Sequence, residues 1–256
     1  MRLREHRLIN TEAVEAIPAW LARARGNATA RRLAQADWLL RRKSDGRFLA
    51  AIDGASLQPL DSTAMTAHNG IGDALRAVAR GYGVEVGLDE HARPYAALGI
   101  PENYGDAHQL RSVAEPAELA YAGPDRYQRP LWLLASGARA WQRMRDAALT
   151  DGVHLDAISG YRSHAYQLGI FKRKLARGQT IKQILSVNAA PGYSEHHSGR
   201  AIDIGTPGEP PAEESFEATP AFAWLTDHAG DFGFTMSYPR GNPHGITYEP
   251  WHYCHL

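Results

Sequence analysis

The chain has 256 residues, with 28 Lys and Arg balancing 28 Asp and Glu, so its net charge gives no reason to expect nucleic acid or an anionic membrane as the main partner. Hydrophobic residues make up 44% and charged residues 22%, values that exclude a disordered or fibrous chain; the length allows one or two domains whose core needs no disulfide staples. The single cysteine, Cys254, excludes an internal disulfide.

In chain order, the first segment interleaves Arg2, Arg4, Arg7, Arg23 and Arg25 with Glu5, Glu12 and Glu15, and its apolar run at 16–22 contains Pro18. That is not the pattern of a secretory leader, and no apolar stretch is long enough for a membrane span. The expectation is a cytoplasmic protein, or a periplasmic one if a leader precedes the start. Residues 11–23 place Val14, Ile17 and Leu21 at helical spacing. Residues 38–52 are two apolar runs around Asp45-Gly46, a hairpin signal. Asp61 or Ser62 would cap a helix running to Arg80, which Gly81 and Gly83 stop. Residues 101–130, with Pro101, Pro116, Pro124 and Pro130, read as a surface connector.

From Leu131 the pattern tightens. Ala140, Trp141, Met144, Ala147 and Ala148 line one face of a helix ending near Gly152. A half-buried strand at 153–158 runs into Ser159-Gly-Tyr-Arg-Ser163. The next helix turns Leu168, Phe171 and Leu175 inward and ends at Gly178. A short helix at 180–187 and strands at 199–205, 234–238 and 246–249 complete an α+β arrangement, a small, mostly antiparallel sheet with helices packed on one side.

The chemistry concentrates in Ser194-Glu-His-His-Ser-Gly-Arg-Ala-Ile-Asp203. Imidazole and carboxylate are good zinc ligands, and a catalytic zinc site uses three protein ligands with one open position. His196 and Asp203 suit a loop entering a strand, on which Ala201 and Asp203 share a face while Ile202 and Ile204 point to the core. Glu249-Pro-Trp-His252 is the natural source of a third ligand. Pro250 holds Glu249 extended, so a carboxylate three residues before His252 could serve as general base.

Together these motifs, with Tyr121-Ala-Gly-Pro-Asp, Ser159-Gly-Tyr-Arg-Ser, Pro191-Gly-Tyr-Ser-Glu-His-His-Ser-Gly, Phe232-Gly-Phe and Ser237-Tyr-Pro, make residues 121–256 resemble the VanY-type zinc D,D- and L,D-carboxypeptidases of bacterial cell-wall metabolism. That family shares its fold with the D-Ala-D-Ala dipeptidases and the Hedgehog signalling domain. Residues 1–120 lie outside the resemblance, as a small mixed N-terminal region of unknown role. The resemblance implies one catalytic Zn²⁺ held by His196, Asp203 and His252, and Glu249 as the base. It also implies that Arg162 and Gln167 contact the substrate and the developing oxyanion, with Ser194 and Tyr238 near the substrate's terminal carboxylate. His154, His164, His197, His244 and His255 take structural readings, as does Cys254; Trp251 would wall the site.

The implied substrates are peptidoglycan stem peptides or muropeptides. L,D cleavage of tetrapeptides is favoured, because a cytoplasmic D,D enzyme would shorten the pentapeptide precursors that wall synthesis needs. D,D-carboxypeptidase, D,D-dipeptidase, endopeptidase and non-catalytic zinc-module readings stay open. The sequence leaves the oligomeric state open too.

Overall fold

A computed structural model describes residues 6–22, 27–60, 70–88, 95 and 97–256. Two antiparallel sheets organise it. The larger has seven strands in the order β5-β4-β3-β2-β1-β6-β7. They are β1 (Arg7–Asn10), β2 (Val14–Pro18), β3 (Trp38–Arg42), β4 (Phe48–Asp53), β5 (Ser56–Pro59), β6 (Glu118–Pro124) and β7 (Pro130–Leu133). The smaller has the order β10-β11-β9-β8, built from β8 (Asp156–Ser159), β9 (Ala201–Gly205), β10 (Phe234–Met236) and β11 (His252–His255).

The expected helix at 11–23 is instead β2 followed by the 3-10 turn Ala19–Leu21. β2 is buried at every residue and pairs with both β1 and β3. A strand covered on both faces loses its polar alternation, so its apolar spacing imitates a helix; β-branched Val14 and Ile17 favour the pleated alternative. The hairpin at 38–52 forms as expected, with β3 and β4 joined through Gly46 at φ +73°. The next helix, α1 (Gly70–Arg80), stops at Gly81, whose N–H reaches Ala77 O at 2.9 Å with φ +79°. Its expected start at Asp61 or Ser62 lies outside the described residues.

The stretch 101–130 is more than a connector. It contains a helical turn, Tyr104–Ala107, and β6, whose Leu119 and Ala122 are buried. β6 also extends the N-terminal sheet by pairing with β1 across residues 118–120. The prolines that suggest a loop sit at its turns and at the strand ends, where a missing N–H costs least.

The helix expected to end near Gly152 is α2 (Ala135–Thr150), which buries Ala140, Trp141, Met144 and Ala148. These side chains meet Leu131 and Leu133 of β7, Ile202 and Ile204 of β9, Phe234 and Tyr253 of the small sheet, and Trp224 and Leu225 in one core. α3 (His164–Ala176) begins with Ser163 as its cap and buries Phe171 but also polar Gln167, while Leu168 is only half-buried. α4 (Ile181–Leu185) starts with a capping box between Thr180 and Gln183. The strand expected at 246–249 does not form. There Thr247 N–H bonds Ser186 O at 2.8 Å and Glu249 N–H bonds Tyr238 O at 3.0 Å, so the backbone is spent on loops and pairing resumes at β11. Among the described residues, no helix is long and apolar enough to cross a membrane.

Candidate active site

The small sheet builds the site from adjacent strands. β9 and β11 pair with Asp203 directly opposite His252, a cross-strand position where side chains on one face meet. As expected, Ile202 and Ile204 go into the core, which leaves Asp203 on the other face. His196 arrives on the 3-10 turn Glu195–Ser198, ended by Gly199 at φ +67°. A Cβ on Gly199 would collide with Leu119 Cδ2, and its carbonyl accepts Leu134 N–H at 2.7 Å, so only glycine fits this link.

His196 Nε2 lies 3.3 Å from Asp203 Oδ2, and His252 Nδ1 lies 3.0 Å from Asp203 Oδ1. One ligand atom from each of the three falls within 4.8 Å of the others. The opposite nitrogens are tied back. His196 Nδ1–H donates to Gly160 O at 2.7 Å, and His252 Nε2–H donates to Glu195 Oε2 at 2.9 Å. Each ring is thereby oriented with its other nitrogen toward the cluster, the arrangement that fixes imidazole ligands to a metal. Among the described residues, His196 Nε2 is buried with no hydrogen-bond partner, an atom that a cation would satisfy.

The electrostatics agree. Burial, with the Arg162 charge adding to it, pushes His196 down to about 4, so its ring is neutral. Burial alone would raise the Asp203 carboxyl, but His196 and His252 hold it far below the usual range. Burial would lower His252, yet its bonds to Asp203 and Glu195 lift it to about 10. The Asp203 and Glu195 carboxylates, one at each ring nitrogen, thus favour positive charge on the His252 ring at the edge of the cluster. The donor set of two imidazoles and a carboxylate fits zinc.

Glu249 stands beside the cluster, its Oε2 3.8 Å from His252 Nδ1 and its side chain 12% exposed. Burial raises its carboxyl to about 7, with Asp203 adding to the effect and His252 and Arg162 opposing it. Arg162 hydrogen-bonds through its N–H to His196 O at 3.2 Å, and among the described residues its buried Nε has no partner. Tyr238 stacks tilted on His252 with ring centroids 4.7 Å apart. Gln167 and Ser194 are tied to the surrounding backbone instead. Gln167 Nε2 donates to Ala189 O at 2.9 Å, leaving its buried Oε1 without a partner among the described residues. Ser194 O accepts His197 N–H at 3.0 Å.

Residues 131–256 match the family described as VanY: D-alanyl-D-alanine carboxypeptidase. The chain belongs to the VanY family. It is 38% identical to YodJ of Bacillus subtilis over 125 residues, 47% of this chain and 45% of that one. It is 33% identical to the D-alanyl-D-alanine carboxypeptidase of Enterococcus faecalis over 150 residues, 52% of this chain and 54% of that one. The chain thus spans about half the length of these curated relatives. Among solved structures, the LdcB LD-carboxypeptidase aligns at TM-score 0.51 and 32% identity, covering 56% of this chain and 69% of that one. The VanY-family fold accounts for the mixed helix and antiparallel sheet around the site.

Two residues around the cluster were given no role in the sequence reading. Glu195 bonds His252 Nε2; its neighbour His196 gave a hint of the site, but the bond itself depends on a fold that brings residues 195 and 252 together. Burial lowers the Lys174 ammonium, with Arg162 adding to the effect and Glu249 opposing it. Its spacing from Gln167 and Phe171 along α3 is the signal that could have found it. His197 has a bracing role, with Nδ1–H donating to Arg162 O at 2.6 Å and Nε2 accepting Gly192 N–H at 3.0 Å. Cys254 is outside the cluster, and burial, with Glu195 nearby, pushes its thiol up to about 12.

Proposed function

We propose that the protein is a zinc carboxypeptidase that removes C-terminal D-alanine from peptidoglycan stem peptides. The observation that carries this reading is the convergence of His196, Asp203 and His252, with the Glu249 carboxylate 3.8 Å from His252 Nδ1. His196 Nε2, Asp203 and His252 Nδ1 would hold one Zn²⁺, with the imidazoles fixed from behind by Gly160 O and Glu195. Zinc in such a site supplies a Lewis acid and lowers the pKa of water toward neutrality.

Glu249 takes the proton of the attacking water and returns it to the departing D-alanine amine, so one carboxylate serves both steps. A carboxyl lifted to about 7 is a stronger base than an ordinary glutamate and gives the proton back readily. Arg162 provides fixed positive charge and paired N–H donors for the oxyanion or for a substrate carboxylate. Gln167, with an unpaired carbonyl oxygen, and Ser194 and Tyr238 bind the peptide around the scissile bond. Attack by water makes a nucleophilic Ser or Cys unnecessary, consistent with a Cys254 thiol that burial keeps protonated.

The favoured bond is L,D, between the third stem residue and the D-alanine of a tetrapeptide, supported by the likeness to the LdcB LD-carboxypeptidase. The D,D reading on pentapeptides is supported by the Enterococcus faecalis relative. Mass spectrometry of purified tetrapeptide and pentapeptide stems, incubated with the zinc-loaded protein with and without chelator, separates them. D-Alanine released from the tetrapeptide only without chelator is the expected result. Release from the pentapeptide alone would establish D,D specificity, and cleavage of an internal bond would establish an endopeptidase. Intact peptides throughout would overturn the enzymatic reading in favour of a binding module.

A further inference from the structure

The family match begins at residue 131, past all but the last strand of the larger sheet. Glu115, completely buried, connects the matched region to that sheet. Its Oε2 accepts hydrogen bonds from Asn10 Nδ2 at 3.2 Å and from the Tyr161 hydroxyl at 2.5 Å, and pairs with Lys43 Nζ. Its Oε1 accepts His164 N–H at 2.7 Å. Lys43, directly after β3, is fixed in turn by donating to Thr11 O at 2.8 Å. Burial alone would raise the Glu115 carboxyl, but Lys43 and His164 outweigh it and keep the group ionised. The N-terminal sheet thus supplies Lys43 and Asn10 on one side of this carboxylate, and the VanY-family domain supplies Tyr161 and His164 on the other.

Tyr161 and His164 flank Arg162. The intervening backbone alternates between two neighbours, as an extended segment must. Gly160 O and Arg162 O accept from the rings of His196 and His197, and Arg162 N–H donates to His196 O. Tyr161 faces the other way, its N–H donating to Trp132 O at 3.0 Å and its hydroxyl to Glu115. Since Arg162 Nε has no hydrogen-bond partner among the described residues, the direction of the guanidinium depends on this two-sided grip.

We propose that Glu115 and Lys43 are positioning residues for Arg162, so that the N-terminal sheet is a working part of the peptide site. This rests on the role given to Arg162 above. The test uses the full chain loaded with zinc, with Tyr161→Phe as the primary variant because it removes a single hydroxyl, and Lys43→Met as the second. Both should keep wild-type zinc content and lose roughly 10- to 100-fold in kcat/KM, the scale of a displaced positioning contact. Placed on an Arg162→Lys background, the same changes should cost less than about twofold further, since residues acting through one group are not additive.

The Arg162 Nε–H resonance, assigned by its loss in Arg162→Lys and recorded without substrate, should shift or broaden in Tyr161→Phe. An unchanged resonance and unchanged kcat/KM in Tyr161→Phe would overturn the proposal, as would losses that multiply fully with Arg162→Lys. If Lys43→Met does not fold, Tyr161→Phe decides alone. If the wild-type protein releases no D-alanine, the peptidase reading fails separately, and the resonance decides whether Glu115 positions Arg162.

Discussion

A carboxylate that takes up and returns a proton near neutral pH has to be shielded from water yet next to charge that can be rebalanced. Glu249 meets both conditions, with burial raising it to about 7 and the His252 ring 3.8 Å away. Glu249→Gln keeps the size and removes the base. It should retain zinc and lose roughly 10²–10⁴-fold in turnover, measured as D-alanine release with metal content determined in parallel. Glu195 acts one step back, through His252 Nε2. Glu195→Gln should weaken zinc binding by roughly 10- to 100-fold, read by competition with a chromophoric chelator. Arg162→Lys should be clearly impaired in kcat/KM, because lysine cannot reproduce the two-pronged geometry; steady-state kinetics indistinguishable from wild type would remove Arg162 from the site.

At the scale of elements, the site depends on two short pieces of backbone meeting in register. Asp203 faces His252 because β9 and β11 pair at those residues, and His196 reaches them through a turn that Gly199 alone can close. Gly199→Ala forces a side chain into left-handed backbone against Leu119, so it should cost roughly 1–3 kcal/mol and lower Tm while loosening metal binding. Ser194–Asp203 and Glu249–His252 were legible as a candidate site because metal ligands need particular residue types at short spacings, and the fold brings His196, Asp203 and His252 together. The core face of α2 was legible because its apolar residues repeat at helical spacing. β2 was not, because a strand buried on both faces carries no alternation. Nor was the bond from Glu195 to His252, which depends on residues 57 apart in the chain meeting in the fold.

Glu115 joins the N-terminal sheet to the VanY-family domain through Lys43, Asn10, Tyr161 and His164. Its folded-state pKa lies below the ordinary value of 4.5 because Lys43 and His164 outweigh the opposing effect of burial. The folded protein therefore binds this proton less readily than the unfolded chain. The stability linked to it is complete above about 4.5 and is lost as pH falls through the lower folded value. Glu115→Gln should be less stable than wild type near neutrality, and the gap should narrow as pH falls below about 4.5, measured by urea midpoints across that range. A gap of constant size would show that the Glu115 charge does not contribute in this way.

In the proposed hydrolase, His196, Asp203 and His252 form the metal centre and Glu249 is not a ligand. Zinc titration against a competing chelator tests it most directly, with wild type, His196→Ala and Glu249→Gln compared in the same experiment. One tightly bound zinc per chain in wild type and Glu249→Gln, with binding lost in His196→Ala, is the predicted result. Full zinc occupancy in His196→Ala, or loss of zinc from Glu249→Gln, would contradict it.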